Sequence, residues 1–414
     1  MNPERKQAYQ RCLEDRLPGT LSLLEQLVAV NSHSRARSGL LENARLVAGA
    51  FEPLGFTARQ VADADPERGD HLFLVRRGEG PQSIALVSHL DTVYTAEQEA
   101  ANDFRWREEG SRIYGPGVAD IKGGTALIHL VLTALAAVDR EFFERISWHV
   151  LLNAAEEEGN LQFPELARAA LPSGLAACLV YEPGNPDPHD PAGSCITRSR
   201  RGSARFLVET IGREAHAGSG HRQGANAIRQ LARVIERIEA MTDHARGLTF
   251  NVGIVGGGVA SNTVPGRAFA QVDTRAESPA DQQQQIQQLL ALAGGGDVVS
   301  IDQPFPCRIV VQRHSCYPPW PESATSMALA RTAEAAAASL GQRVVAEHRA
   351  GASDANHLWN VAPTLCSLGP VGRNIHCSVH DPEHGLTQES IDRTTIVPRA
   401  LLSVALLYRL LSAP

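Results

Sequence analysis

The chain has 414 residues, more than one ordinary core accommodates, so two domains are expected. Hydrophobic residues make up 43% and charged residues 21%, with a mean hydropathy of -0.18, which excludes a disordered chain and a membrane-embedded one. The 46 acidic and 39 basic residues give a formal net charge of -7, and no basic run is long enough to track a phosphate backbone, which argues against nucleic acid as a partner.

The first ten residues are polar and charged where a signal peptide needs an apolar core, and no stretch approaches about 18 uninterrupted apolar residues. A cytoplasmic protein with no membrane partner is the expectation. Seven scattered cysteines, an odd number with no C-x-x-C pair, fit free thiols in a reducing compartment and not a cysteine-based structural zinc.

Thr20 precedes an apolar stripe at Leu23, Leu24, Leu27 and Val28, the spacing of a helix with Thr20 as its N-cap, and a second helix is expected over 40–54. Short apolar runs at 84–87, 148–152 and 177–180 read as buried strands, with a helical pattern over 124–137 between the first two. Strands alternating with helices imply an α/β layer with a mostly parallel sheet, whose ligands gather at the carboxyl ends of the strands. Near Ser199 the style changes. Strands at 204–211, 249–255 and 268–274, helices at 224–241 and 282–292, and a further strand at 309–312 make a compact α+β unit. Helices at 323–340 and 396–411 resume the first style. The expectation is therefore a discontinuous catalytic domain, 1–199 and 315–414, with an inserted domain at 200–314.

Chemistry-bearing residues follow the predicted strands. His89 and Asp91, in S-H-L-D-T, lie on one face of an extended segment, where one side chain can bind metal and the other orient it. Asp120 stands in Y-G-P-G-V-A-D-I-K-G-G, whose glycines allow the tight turns that deliver a carboxylate rigidly, although an N-cap for the following helix explains it locally as well. Glu156 and Glu157, in N-A-A-E-E-E-G, belong to three consecutive carboxylates that need a cation or a raised pKa to coexist after a buried strand. Glu182 closes the next strand in L-V-Y-E-P-G, and His376 stands late in G-P-V-G-R-N-I-H-C-S. Two histidines with carboxylates between them suit two metal sites that share a bridging ligand. Gly256 to Gly258 is followed by S-N-T-V-P-G and no helix, so it is no dinucleotide cradle, and His376 with His380 lacks the glutamate of a zincin helix.

Taken in order, S-H-L-D-T, Y-G-P-G-V-A-D-I-K-G-G, N-A-A-E-E-E-G, Y-E-P, G-R-E-A-H-A-G, S-N-T-V-P-G and G-A-S-D-A-N-H resemble the dimetal exopeptidase and amidohydrolase family of glutamate carboxypeptidase, acetylornithine deacetylase, succinyl-diaminopimelate desuccinylase and aminoacylase. The resemblance runs through nearly the whole chain. It implies a zinc-peptidase-like α/β catalytic domain and a smaller ferredoxin-like α+β domain for dimerisation or as a lid. By the same resemblance His89, Asp120, Glu157, Glu182 and His376 are metal ligands, with Asp120 the bridge, Glu156 the general base and Asp91 the orienter of His89. His216, Asn262 and Arg275 are implied for substrate binding, and His216 is implied to reach the site of the other subunit of a homodimer. The chain has Pro116 and Asn160 where relatives often carry Arg and Ser.

The implied cofactors are two divalent metal ions, zinc by default, with manganese or cobalt compatible with the same ligands. The implied activity is hydrolysis of an amide-type C–N bond of a small carboxylate-bearing substrate. The same site could instead serve a ureido, amidine or aromatic C–N bond, or survive in a non-catalytic metal-bound binding protein; Glu156 argues against the last.

Overall fold

The computed structural model describes residues 1–159 and 162–412, so Asn160 lies outside the described residues. The chain divides into two compact units: Met1–Ser199 with Glu322–His348 and Ser353–Pro414, and Arg200–Pro321 with Arg349–Ala352. Set against the expected inserted domain at 200–314, the second unit is longer for a local reason. Its last strand, Pro306–Tyr317, continues past 314 as a partner of Gly202–Ile211, with Ser203 opposite Tyr317, and the Arg201 amide donates to the Arg349 carbonyl.

The first unit is built on a six-stranded sheet in the order Thr57–Val61, His71–Arg76, Ser147–Asn153, Ser83–His89, Cys178–Val180, Thr364–Leu365. The last four run parallel and the first two antiparallel, so the sheet is mixed and mostly parallel. Ile84 to Val87 and Val150 to Leu152 are buried continuously, as strands covered on both faces must be. Helices Pro3–Val28, Gly123–Val138, Ala324–Ser339 and Ile396–Leu411 supply Leu24, Leu127, Val131, Leu329, Leu402 and Leu406 to the same core as these strands. The segments Val118–Val138 and Arg393–Leu411 are long and apolar enough to cross a membrane, yet 72% and 67% of their most apolar windows are buried inside the protein.

Thr20 is not an N-cap. The first helix starts 17 residues earlier at Pro3, capped by Asn2, whose side chain accepts the Arg5 amide, and Thr20 donates to the Arg16 carbonyl from inside it. Buried Tyr9 and Leu13 continue the apolar face upstream, so packing carries the helix through Pro18 despite the lost backbone bond. The strand Thr57–Val61 escaped detection because it is exposed at four of its five residues and carries no apolar run.

The second unit is a five-stranded antiparallel sheet in the order Thr249–Gly257, Arg267–Ala276, Gly202–Ile211, Pro306–Tyr317, Gly294–Val299. Burial alternates along Gly202–Ile211 and Arg267–Ala276, leaving one face for a core. Helices Ala227–Glu239 and Pro279–Leu290 fill it, packing Leu231, Val234, Ile238, Ile286 and Leu289 with Phe206, Val208 and Val272.

Candidate metal centre

Parallel register gathers the carboxylates. His89 pairs with Asn153 and Val87 with Val180, so the carboxyl ends of three strands are level and His89, the 154–158 loop and Glu182 emerge side by side. Asp120 reaches them through a turn that requires glycine. Gly117 is at φ 70°, and a Cβ there would lie 2.5 Å from Thr92 Cγ2. A Cβ on Gly124 would lie 2.0 Å from the Tyr181 carbonyl, so the helix that follows Asp120 can approach the strand end bearing Glu182 only as glycine.

The geometry divides the ligands into two groups around one carboxylate. His89 Nε2 lies 2.9 Å from Asp120 Oδ1 and 3.9 Å from Glu182 Oε1. His376 Nε2 lies 3.4 Å from Asp120 Oδ2 and 3.2 Å from Glu157 Oε2. Two atoms each about 2.1 Å from a tetrahedral ion are about 3.4 Å apart, so both groups have the spacing of ligands awaiting a cation. Each oxygen of Asp120 serves one group. Ligand atoms of His89, Asp120 and Glu182, and of Asp120, Glu157 and His376, lie within 4.8 Å of one another. His89, Glu156 and Glu157 form a third such group. Among the described residues Glu157 Oε1 is buried with no hydrogen-bond partner, which suits a metal-binding carboxylate.

Charge is tightly balanced here. Burial opposes a charged His89, but bonds to Asp120 and Asp91 outweigh it and hold its pKa well above the usual range. Burial likewise opposes an ionised Asp120, yet His376 and His89 hold it well below the ordinary carboxylate value. His376, beside Asp120 and Glu157, is pushed up to about 11. Burial raises Glu156 well above its normal value, and neighbouring Glu157 and Glu182 add to the effect while His89 opposes it. A divalent ion bound here would neutralise the same carboxylates that raise the two imidazoles.

Asp91 does more than support an imidazole. His89 Nδ1 is 2.9 Å from the Asp91 backbone carbonyl, an acceptor that keeps the proton of the neutral imidazole on Nδ1 and leaves Nε2 directed at Asp120; the Asp91 carboxylate is farther, at 3.4 Å. That carboxylate accepts the Ser34 hydroxyl at 2.7 Å and the amides of Glu156 and Glu157 at 3.0 and 3.1 Å. It therefore joins the His89 strand end to the glutamate loop.

Sequence reasoning missed Glu389. Its Oε1 accepts the amides of Ala119 and Asp120 at 2.8 and 3.1 Å and its Oε2 the Tyr94 hydroxyl at 2.6 Å. Burial, with Asp120 close by, pushes it up to about 7. No local sequence signal marks it, since Asp381 and Glu383 stand nearer to His376 in the same acidic stretch. Asp354, in G-A-S-D-A-N-H, is also buried; its Oδ1 accepts the Asn153 side-chain amide at 2.9 Å, and burial raises its pKa to about 7.

The second unit holds the other candidates. His216 and Thr263 pair in a two-residue ladder, and the Ala217 amide donates to the Asn262 carbonyl, which brings His216 and Asn262 together on the surface. His216 Nδ1 accepts the Gly218 and Ser219 amides, both at 3.1 Å, so the proton of its neutral form resides on Nε2. Arg275 lies on the main sheet, in a fork with Asp273 at 2.7 and 3.1 Å.

Residues 85–403 match the model of peptidase family M20/M25/M40. Carboxypeptidase G2 of Pseudomonas sp. (strain RS-16) is 30% identical over 262 residues, which cover 63% of this chain and 60% of that protein. Acetylornithine deacetylase of Myxococcus xanthus is 30% identical over 296 residues, 67% of this chain and 72% of the relative. Among solved structures, a tripeptidase from Staphylococcus aureus shares the fold with a TM-score of 0.71 at 19% identity, covering 97% of this chain and 99% of its own.

Proposed function

Because the chain belongs to peptidase family M20/M25/M40, we propose that it hydrolyses an amide-type C–N bond in a small carboxylate-bearing substrate, as a carboxypeptidase or an N-acyl-amino-acid deacylase does. The observation that carries this reading is the pair of three-ligand groups sharing Asp120, with Glu156 buried beside them. His89, Asp120 and Glu182 would hold one divalent ion and Asp120, Glu157 and His376 the other, with zinc favoured by nitrogen and oxygen donors at tetrahedral spacing and manganese or cobalt compatible with them. Ions bound there supply Lewis acidity and make a water molecule easier to deprotonate.

Glu156 belongs to neither of the two groups that share Asp120, and burial raises its pKa, which makes it a stronger base than an exposed carboxylate. It takes the proton of the attacking water and returns it to the leaving nitrogen as the C–N bond breaks, so the products are an acid and an amine. Asp91 holds the backbone of this base, and Glu389 that of Asp120. The Arg275 guanidinium provides a fork for the substrate carboxylate, oriented by Asp273.

The working form in this reading is a homodimer paired through the second unit, with His216 donating from Nε2 to the oxyanion in the other subunit. Support comes from the edge strand Thr249–Gly257, which pairs on one side only and exposes Ile254 and Val255 at 53% and 59%. Mixing inactive His216→Ala with inactive Glu156→Gln subunits should restore one working site per mixed dimer; demonstrated heterodimers that stay inactive refute the arrangement. A cytoplasmic location is part of the same reading, supported by seven free cysteines.

The substrate class is tested by reconstituting the protein with zinc, manganese or cobalt and offering N-acyl amino acids, dipeptides and amino-aromatic compounds. Release of a free amino acid supports the proposal. Ammonia release from the amino-aromatic set alone would replace it with an aminohydrolase.

A further inference from the structure

The loop that carries Glu156 and Glu157 is fastened at every residue. The Ala154 amide donates to His71 Nδ1 and the Ala155 amide to Asn153 Oδ1, both at 3.0 Å, while the next two amides go to Asp91. Glu158 completes the series through its side chain and belongs to none of the candidate metal groups. Arg35 Nε donates to its Oε1 at 2.5 Å and Arg68 Nε to its Oε2 at 3.0 Å. The Arg68 and Glu158 side chains are only 16% and 25% exposed, so this pair is less screened than an ordinary surface ion pair.

The two arginines are held in turn. Arg35 also reaches Asp65 Oδ2 at 2.8 Å, and Asp63 faces Arg68 at 3.8 Å and His71 Nε2 at 3.4 Å. Thus segment 63–71 grips both ends of the loop, Ala154 through His71 and Glu158 through Arg68. The neighbour of Arg35, Ser34, bonds the Asp91 carboxylate that holds the middle of the loop. Asp91 and Asn153 lie within residues 85–403, the part of the chain that matches the family, whereas Ser34, Arg35, Asp63, Asp65, Arg68 and His71 lie outside it. Three adjacent carboxylates would repel one another. Two guanidinium partners draw the third aside and leave Glu156 and Glu157 grouped with His89.

We propose that Glu158, clasped by Arg35 and Arg68, is a positioning residue that sets where the Glu156 and Glu157 carboxylates lie, and so governs divalent-metal affinity and turnover without touching substrate. The inference rests on the roles proposed above for those two glutamates. Outer-shell partners of this kind are worth about 10- to 100-fold in metal affinity or activity. The size follows from how steeply a base or ligand loses effect when displaced by about 1 Å.

The test is Glu158→Gln, which keeps the size of the side chain and removes its charge, alongside Arg68→Met and the double variant. Zinc affinity is read by competition with a chromophoric chelator and turnover by steady-state kinetics on an N-acyl amino acid or dipeptide that the zinc-loaded wild type hydrolyses, with melting temperature as the control for folding. Glu158→Gln should bind the weaker of two zinc ions about tenfold less tightly and lose about tenfold in kcat, with KM within about twofold of wild type. Arg68→Met, which leaves the Arg35 bond in place, should act in the same direction but less, and the double variant should be no worse than Glu158→Gln alone, since that change already removes the charge Arg68 holds. Zinc affinity and kcat within about twofold of wild type in Glu158→Gln would overturn the clasp alone, as would additive losses in the double variant. Wild-type protein that binds no zinc would overturn the metal reading and the clasp together.

Discussion

In the first unit His89, Asp91, Glu156 and Glu182 are 2%, 1%, 8% and 7% exposed, and bonds through Asp91 tie the His89 strand end to the Glu156 loop; in the second, His216 and Asn262 are exposed and Arg275 is bonded to its strand neighbour Asp273. Both sets are candidates for the same reaction. The difference teaches that the charges proposed to hold cations are pre-organised by the fold, whereas the groups proposed for substrate are complete by themselves and, in that proposal, act only when a ligand or another subunit arrives. Changes in the first set should therefore act on turnover and metal content, and in the second a change at Arg275 should act on substrate affinity, whereas one at His216, proposed to serve the oxyanion, should act on turnover with the metal content unchanged.

The largest effect should come from Glu156→Gln. The amide cannot accept the proton of water, so kcat should fall about a thousandfold. Elemental analysis should still find wild-type metal content, because the two groups sharing Asp120 do not use this residue. Loss of metal together with activity would move Glu156 into the ligand set and blur its distinction from Glu157.

A smaller effect should follow from Glu389→Ala, which leaves the buried amides of Ala119 and Asp120 and the Tyr94 hydroxyl without their acceptor. Turnover or metal affinity should drop about 10- to 100-fold, measured by kinetics and by titration with zinc. Glu389→Gln keeps an acceptor for the two amides and should retain most of the function. Equal losses in both variants would mean that the charge of Glu389, and not the positioning of Asp120, is what matters.

Arg275→Ala should have the mildest consequence for chemistry. KM for a carboxylate-bearing substrate should rise about tenfold with kcat within about twofold, because a lost ground-state ion pair is lost uniform binding. A matched substrate without the carboxylate should show no change. If kcat fell as far as in Glu156→Gln, the contrast between a pre-organised centre and a responsive binding unit would break.

How much of this was legible in the sequence depended on range. The strands at Ser83–His89, Ser147–Asn153 and Cys178–Val180 announced themselves as apolar runs, and His89, Asp120, Glu156, Glu157 and Glu182 stand at or just beyond strand ends or before a helix, where local pattern suffices. Glu389 was invisible because its partners are about 270 positions away, and Arg35 because it meets Glu158 across 123 residues. Such pairings are created when the chain closes on itself, and no periodicity records them. Thr20 failed for the opposite reason: a good local capping signal was overridden by the packing of Tyr9 and Leu13 upstream.

Anomalous diffraction at the zinc edge from crystals of the zinc-loaded protein tests the central claim most directly. Two peaks should flank the Asp120 carboxylate, one shared with His89 and Glu182 and one with Glu157 and His376. A single peak that Asp120 does not contact, or zinc bound elsewhere while this cluster stays empty, would contradict the account.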